Sequence, residues 1–389
     1  MRVLVLTLSF GSGHVRAAEA VARELAQQAA GVEVRVVDAL AASRVLFRAG
    51  YVWPYWAMVR YAPALWARCF NARAAHMAEQ TAPAWAFRYG CPQVFETIAE
   101  FAPAVIVAAE VAACELAVSA KRARLTDARI VCVITDHEAE PVWVKPEVDA
   151  YAVADEAVRA QLCAWGARAD KITVCGIPTD AAFNVRHDSR ATQAQYQIND
   201  AAPVVLLMGG GMGPTRMDEV AARLCASGAA MQIVAVTGHD ARVRRRLERV
   251  RAVPPVSLHV LGWVDDVAAL MQTASLLVTK PGGLTTAEAA LCALPVVMFD
   301  AIPGPEQRNA ARLVAAGAGI MTRGAEETAA QVVALLGDEH LRRRMSACAA
   351  RRARPDATAT IARLALDGIA SNMTTGHTPA PRVIRRTTA

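Results

Sequence analysis

The chain is short of lysine and lacks the patterns that most often mark metal, redox or nucleoside triphosphate chemistry. Only Lys121, Lys145, Lys171 and Lys280 occur in 389 residues, and arginine supplies the rest of the basic charge. A net charge of +6 permits an anionic partner without demanding one. The nine cysteines are scattered singly with no C-x-x-C spacing. That excludes the usual structural zinc and disulfide-exchange motifs and reads as buried thiols in a reducing cytosol. No apolar run approaches the roughly 18 residues that a membrane span requires. The first run, Val3–Leu8, is too short for a signal core and reads as a strand, so a soluble or peripheral protein is expected. No D-x-D carboxylate pair is present, and no glycine loop is followed by Gly-Lys-Ser/Thr.

What the chain has in plenty is apolar sequence, 54% against 20% charged, enough for two hydrophobic cores. Strand candidates fall into two series. The first is Val3–Leu8, Glu33–Val37, Ala104–Ala109, Ile130–Ile134, Asp149–Val153 and Lys171–Cys175. The second is Pro203–Met208, Met231–Val236, Ser257–Leu261, Ser275–Thr279 and Pro295–Phe299, with a sixth near Gly317–Met321. Most are short continuous apolar runs separated by helical repeats, such as Val15, Ala18, Val21, Ala22 and Leu25. Such alternation predicts an α/β protein with parallel sheets buried on both faces. Four segments are expected: an N-terminal Rossmann-like domain (1–182), a C-terminal one (183–355), a helix over 356–370 packing back on the first domain, and a disordered basic tail (371–389). The chain should cross over after Gly176-Ile177-Pro178, and the polar stretch 184–202 interrupts the apolar pattern. Ligands are expected at the carboxyl ends of the strands, in a cleft between the domains.

Three strand–glycine–helix turns carry the candidate chemistry. "LSFGSGHVRAAEAV" (8–21) has Gly11 and Gly13 but Arg16 where a dinucleotide fingerprint needs its third glycine. Its helix start would hold His14 at a strand's carboxyl end, where a neutral imidazole could accept a proton; an exposed first-turn histidine is the alternative. Met208–Thr215 places Gly209, Gly210, Gly211 and Gly213 in a five-residue span around Met212. The run reads as a backbone nest for phosphate, or as a tight turn. "LVTKPGGLTTAEAA" (277–290) repeats the arrangement, with Lys280, Gly282, Gly283, Leu284 and Thr285 at the turn and Glu288 inside the helix. Glu288 could accept ribose hydroxyls or merely complement the helix dipole. After the next strand, Glu306, Gln307 and Asn309 offer polar groups to a sugar, or cap a surface helix.

These motifs, with "VITDHEAEPVW", "DAYAVADEAVRAQLCAWGARADKITVCGIP" and "GWVDDVAALMQTASLLVTKPGG" in order, resemble the monogalactosyldiacylglycerol synthases and processive diacylglycerol glucosyltransferases. The resemblance runs from residue 3 to about 365. It implies the GT-B fold and the GT28 type of glycosyltransferase: a UDP-sugar donor, inversion at the anomeric carbon, no bound cofactor or metal, and diacylglycerol as acceptor. His14 is then the favoured base and Asp136 the second candidate. Gly13, Gly209–Gly213, Lys280, Gly282–Leu284 and Thr285 would serve the donor's diphosphate, Trp263 and Val264 its uracil, and Glu288 its ribose. Glu306, Gln307 and Asn309 would serve its sugar or diphosphate.

Residues 39–78 contain no acidic residue, and residues 43–70 hold eight aromatics interleaved with arginine. Arg44, Arg48, Trp53, Trp56, Arg60 and Trp66 suit an anionic lipid interface rather than nucleic acid, and the resemblance places this region at the cytoplasmic face of the membrane. A buried aromatic helix pair is the alternative. The stretch would have no use in an epimerase of the same fold. Two departures from the family pattern, Glu110-Val111 and Glu140-Pro141-Val142-Trp143, lie on the acceptor side, where Trp143 is the family tryptophan. A third is the Gly238-His239-Asp240 turn. Transfer of N-acetylglucosamine to an isoprenoid-linked lipid, and a non-catalytic nucleotide-sugar sensor, are the competing functions.

Overall fold

A computed structural model describes residues 1–75, 80–210 and 215–367. The chain divides into two units, Met1–Asp180 joined by the chain from Asp356 onward, and Ala181–Pro355. The first unit is a six-stranded sheet in the order β2-β1-β3-β4-β5-β6. Its strands are β1 (Arg2–Thr7), β2 (Glu33–Asp38), β3 (Val105–Ala108), β4 (Arg129–Val133), β5 (Ala150–Val153) and β6 (Ile172–Val174). The second is β7 (Val204–Met208), β8 (Met231–Val236), β9 (Val256–Leu261), β10 (Leu276–Thr279), β11 (Val296–Met298) and β12 (Gly319–Met321), in the order β12-β11-β10-β7-β8-β9. Every pairing is parallel. All twelve expected strands form, with ends shifted by a residue or two. Leu8 lies beyond β1 because the chain is already turning there, with the Ser9 N–H given to Asp38 Oδ1 at 3.1 Å.

The central strands are mostly apolar because helices cover both faces of each sheet, while the edge strands β2 and β9 carry Glu33, Arg35, Asp38, Ser257 and His259. Several helix starts are fixed by side-chain caps. Glu110 accepts from Ala112 and Ala113, Asp155 from Ala157 and Val158, and Asp240 from Arg242 and Val243, which satisfies backbone donors otherwise left open. The polar stretch 184–202 is not a plain linker. Asp188 caps a helix over Ser189–Tyr196, and Gln197 ends it with φ 56°. Pro63 opens the helix Pro63–Ala75, where a missing N–H breaks no hydrogen bond, whereas Pro54 follows the π-helical turn Arg48–Val52 at the start of Trp53–Tyr61. Residues 371–389 lie outside the described residues, as do Gly211, Met212 and Gly213.

The helix Ala357–Leu366 packs on the first helix, Ser12–Gln28. Ile361, Ala362 and Ala365 share one core with Val3, Val5, Ala18 and Val21. Thr358 Oγ1 donates to the Thr179 carbonyl at 2.8 Å and accepts from its N–H at 3.0 Å. Ile361→Ala removes a fully buried side chain. It should cost about 2–5 kcal/mol, read as an earlier denaturant transition of the first unit. An unchanged transition would mean that this helix adds nothing to that core.

Candidate active site

In each sheet one pair of neighbouring strands marks where the chain reverses its direction of travel across the sheet. In the first unit this is β1 and β3; in the second it is β7 and β10. Loops diverge at the carboxyl ends of such a pair and leave room for a ligand. His14 follows β1, and Glu110 follows β3. In the second unit Gly209 and Gly210 follow β7, and Lys280-Pro281-Gly282-Gly283 follows β10. Topology therefore gathers the main motifs of each unit at one sheet edge.

In the first unit, His14 is half-buried in the opening turn of Ser12–Gln28. Its Nδ1 lies 2.8 Å from Thr135 Oγ1, just beyond β4. Burial holds its pKa below the ordinary value, while the charge of Asp136 and the Ala109 carbonyl pull the other way. Neutral imidazole is the form that can take a proton. Asp136 is half-exposed beside it. A Cβ added at Gly11, the residue before the helix, would meet nothing within 4 Å among the described residues. Asp38 secures the base of the loop, its Oδ1 accepting from both Ser9 and Leu40.

A second group of carboxylates lies at the buried end of the same edge. Glu110 is 7% exposed and Glu115 5%. Glu115 accepts from the Thr81 N–H at 2.9 Å and from the Thr81 hydroxyl, which in turn accepts from Tyr51 OH at 2.9 Å. Burial drives the Glu110 pKa up to about 8. The two cap hydrogen bonds oppose the shift, and the charges of Glu115 and Glu140 reinforce it. His137 is not available to this group: it is buried, with Nδ1 3.0 Å from Asp155 Oδ2.

In the second unit, Lys280 is 3% exposed. Its Nζ would lie 3.9 Å from a Cβ placed on Gly210, whose φ of +73° suits glycine. The ammonium therefore sits against the glycine backbone. Gly282 precedes the helix Gly283–Leu291, and a Cβ there would also meet nothing within 4 Å among the described residues. Thr285 is half-buried and Leu284 buried. Glu288 is 5% exposed within that helix. Asn309 is fully buried, its amide donating to the Pro281 carbonyl at 3.0 Å, so it holds the lysine turn in place. Glu306 accepts from the Ile302 N–H at 2.7 Å, and Gln307 is exposed. Trp263 is exposed and stacks on His239, with ring centroids 4.3 Å apart and planes 8° from parallel. Its indole N–H donates to Asp265 at 2.7 Å, and Val264 is buried beside it.

The arginine- and aromatic-rich stretch splits into two layers. Phe47, Tyr51, Tyr55, Trp66 and Phe70 build an inner cluster, and Phe10 from the histidine loop meets Tyr51 and Tyr55 edge-on at 5.5 Å. Trp66 is buried, which corrects the expectation that it faces lipid, and Trp143, expected on the acceptor side, is buried too. Trp56 is half-buried. Leu46, Trp53, Tyr61 and Leu65 point outward, as do Arg44 and Arg60, while Arg48 is half-buried. The outer layer continues onto Trp85 and Tyr89 of the helix Ala84–Gly90, with the Arg44 guanidinium 4.5 Å from the Tyr89 ring centre.

Sequence reasoning passed over Thr135, though it directly precedes Asp136 at a strand end. It also missed Asp38, Thr81, Trp85 and the Arg216–Asp300 ion pair, in which Asp300 has φ 50°. For Thr135 and Asp300 the available signal was a polar residue just past an apolar strand. Thr81 carried none, because its partner Glu115 is 34 residues away.

The raised pKa of Glu110 makes a pH prediction. The unfolded side chain ionises near 4.5, the folded one near 8. The stability that the neutral carboxyl contributes is complete below the lower value and is lost as pH rises through the upper. Glu110→Gln should therefore unfold like the parent at pH 4 and become progressively the more stable of the two by pH 9. Parallel thermal-melting curves across that range would contradict the assignment.

Residues 14–179 match the family model described as monogalactosyldiacylglycerol (MGDG) synthase, and residues 213–338 match glycosyl transferases group 1. The processive diacylglycerol beta-glucosyltransferase of Bacillus licheniformis is 30% identical over 53% of this chain and 54% of its own length. The chain thus matches about half the length of the curated relatives it resembles. Among solved structures, Acinetobacter baumannii MurG superposes with a TM-score of 0.59 at 15% identity, over 94% of this chain and 99% of that one. Anabaena HepE in complex with UDP-glucose gives 0.56 at 16% identity, over 95% and 100%. The UDP-GlcNAc 2-epimerase of Neisseria meningitidis bound to UDP-GlcNAc gives 0.62 at 13%, over 96% and 100%. At these identities the superpositions speak to fold alone. The chain has the two-sheet GT-B fold, and about half of it is similar in sequence to the monogalactosyldiacylglycerol synthases and processive diacylglycerol glucosyltransferases.

Proposed function

We propose that the chain is an inverting hexosyltransferase that moves glucose or galactose from a UDP-sugar to the free hydroxyl of diacylglycerol at an anionic membrane surface. The observation that carries this reading is the pairing of two chemically different strand–glycine–helix turns, each at the reversal point of its own sheet. One holds a half-buried histidine kept towards neutrality; the other holds a buried lysine against glycine backbone. Base and leaving-group stabiliser are the two parts that glycosyl transfer needs.

In this mechanism His14 accepts the proton of the acceptor hydroxyl. The oxygen's electron pair forms a bond to the anomeric carbon, and the carbon–oxygen bond to the diphosphate breaks with its electrons leaving on UDP. The imidazolium then releases the proton to solvent. Asp136 stabilises that imidazolium; the hydrogen bond to Thr135 favours His14 over Asp136 as the base. Gly13 belongs to the turn that carries the base. Gly209, Gly210, Lys280, Gly282, Gly283 and Thr285 receive the diphosphate, helped by the partial positive charge at the start of Gly283–Leu291. Glu288 takes ribose hydroxyls, the exposed Trp263 and His239 stack offers a flat face for uracil, and Glu306 and Gln307 serve the hexose.

Among the described residues no helix is long and apolar enough to cross a membrane. The outward layer of Leu46, Trp53, Tyr61, Trp85 and Tyr89, framed by Arg44 and Arg60, supports attachment by insertion of aromatic rings under a basic rim. Nine free cysteines support a reducing compartment, and hence the cytoplasmic face.

Radiolabelled UDP-glucose and UDP-galactose, each given with diacylglycerol vesicles, should yield labelled lipid from at least one donor. Binding of UDP-sugar without product would favour a sensor, and product only with an isoprenoid-linked lipid would move the acceptor. His14→Ala should lower turnover by about 10²–10⁴-fold with UDP affinity nearly unchanged; lost UDP affinity would mean that the loop faces the donor. Charge reversal at Arg44, Arg48 and Arg60 removes three attractions of about 1 kcal/mol each. It should abolish sedimentation with anionic liposomes, and unchanged sedimentation would refute the membrane surface.

A further inference from the structure

The half-buried His14 ring has two nitrogens, and only one of them can take the acceptor's proton. The contact made by one of them bears on which. Nδ1 lies 2.8 Å from the hydroxyl of Thr135, the residue immediately before Asp136. Thr135 is 5% exposed, so no solvent competes freely for this contact. Its backbone is set by the end of the ladder, where the Ile134 N–H still bonds the Ala152 carbonyl of β5 at 3.0 Å. One short segment thus delivers a hydroxyl and a carboxylate to the same imidazole.

We propose that Thr135 is a positioning residue: its hydroxyl oxygen accepts the Nδ1–H of His14 and so leaves the Nε2 lone pair as the base. This deepens the proposed transfer reaction and rests on that reading for its catalytic consequence. The two neighbours act differently. Asp136 works by charge, favouring the imidazolium formed when the proton arrives. Thr135 is neutral and works by direction, as the hydrogen bond on one ring nitrogen decides which tautomer the other presents. An imidazole without that acceptor prefers its proton on Nε2, where it would block the base. With Nδ1 anchored, the balance of the step is simple. The acceptor O–H bond breaks, its proton forms a bond to Nε2, and the Nδ1–H bond is kept throughout. Other groups act on the ring as well: the Ala109 carbonyl favours its protonated form, and Glu110 follows Ala109 at the end of β3.

The test uses the full chain with ring-¹⁵N histidine, assigned by comparison with His14→Gln. The parent should show His14 with Nδ1 protonated. Thr135→Val, which keeps the shape and deletes the hydroxyl, should move the proton to Nε2, and Thr135→Ser should restore the parent spectrum. In vesicle assays Thr135→Val should lower kcat at least about tenfold and displace the acid limb of the pH profile. KM for the UDP-sugar should stay within about twofold, and Thr135→Ser should regain most of the rate. Retained UDP binding shows that the Val variant is folded. If Thr135→Val keeps both the parent tautomer and the parent pH profile, the inference is wrong. If the parent transfers no sugar to any lipid, the reaction fails as a reading, and the NMR spectra still decide the role of Thr135.

Discussion

The parallel ladder is the constraint on which everything else in this molecule depends. Parallel strands must each be followed by a crossover, so all their carboxyl ends lie on one edge of the sheet, and the helices that return the chain begin there. Each of those helix starts exposes backbone N–H groups and a partial positive charge. Several are closed by the protein's own carboxylates, including Glu110, Asp155, Asp188 and Asp240. Others have no side-chain cap. Among these, Gly11 and Gly282 also have open space among the described residues where a Cβ would be. The edge thus separates helix starts that hold the fold from helix starts left for a ligand.

Burial then sets the chemistry of the charges collected at those edges. His14 is pushed towards neutrality and Glu110 holds its proton up to about pH 8, for the same reason: each loses water that would stabilise its charged form. Lys280, almost wholly enclosed, is placed against glycine backbone. Under the proposed function each of these is useful. A neutral base can take a proton, an enclosed cation can meet a diphosphate in a low dielectric, and a protonated carboxyl in the acceptor's unit can donate a hydrogen bond to an oxygen.

Much of this was legible in the residues. Short Val- and Ile-rich runs at regular intervals gave all twelve strands, because strands covered on both faces need no polar side. The three glycine turns were legible as glycine clusters directly after such runs, although at Gly209 small size also serves packing, since a Cβ there would lie 2.6 Å from Met217 Sδ. Less legible was anything decided by contacts distant in sequence. Trp66 looks like an interfacial anchor in a line of sequence, yet its ring is interior. Trp85 lies outside the arginine-rich window but belongs to the same outer layer. Thr135 went unnoticed because its partner is 121 residues away, and no local pattern distinguishes an orienting threonine from a strand-end one.

The central claim is a single in-line displacement with one proton acceptor on the side opposite the leaving diphosphate. The anomeric configuration of the glycolipid product measures this most directly. UDP-glucose and UDP-galactose are α-linked, so the account predicts a β-linked sugar on diacylglycerol, seen as a large coupling constant of the anomeric proton by NMR. An α-linked product would require retention and a different chemical role for His14, and would contradict it.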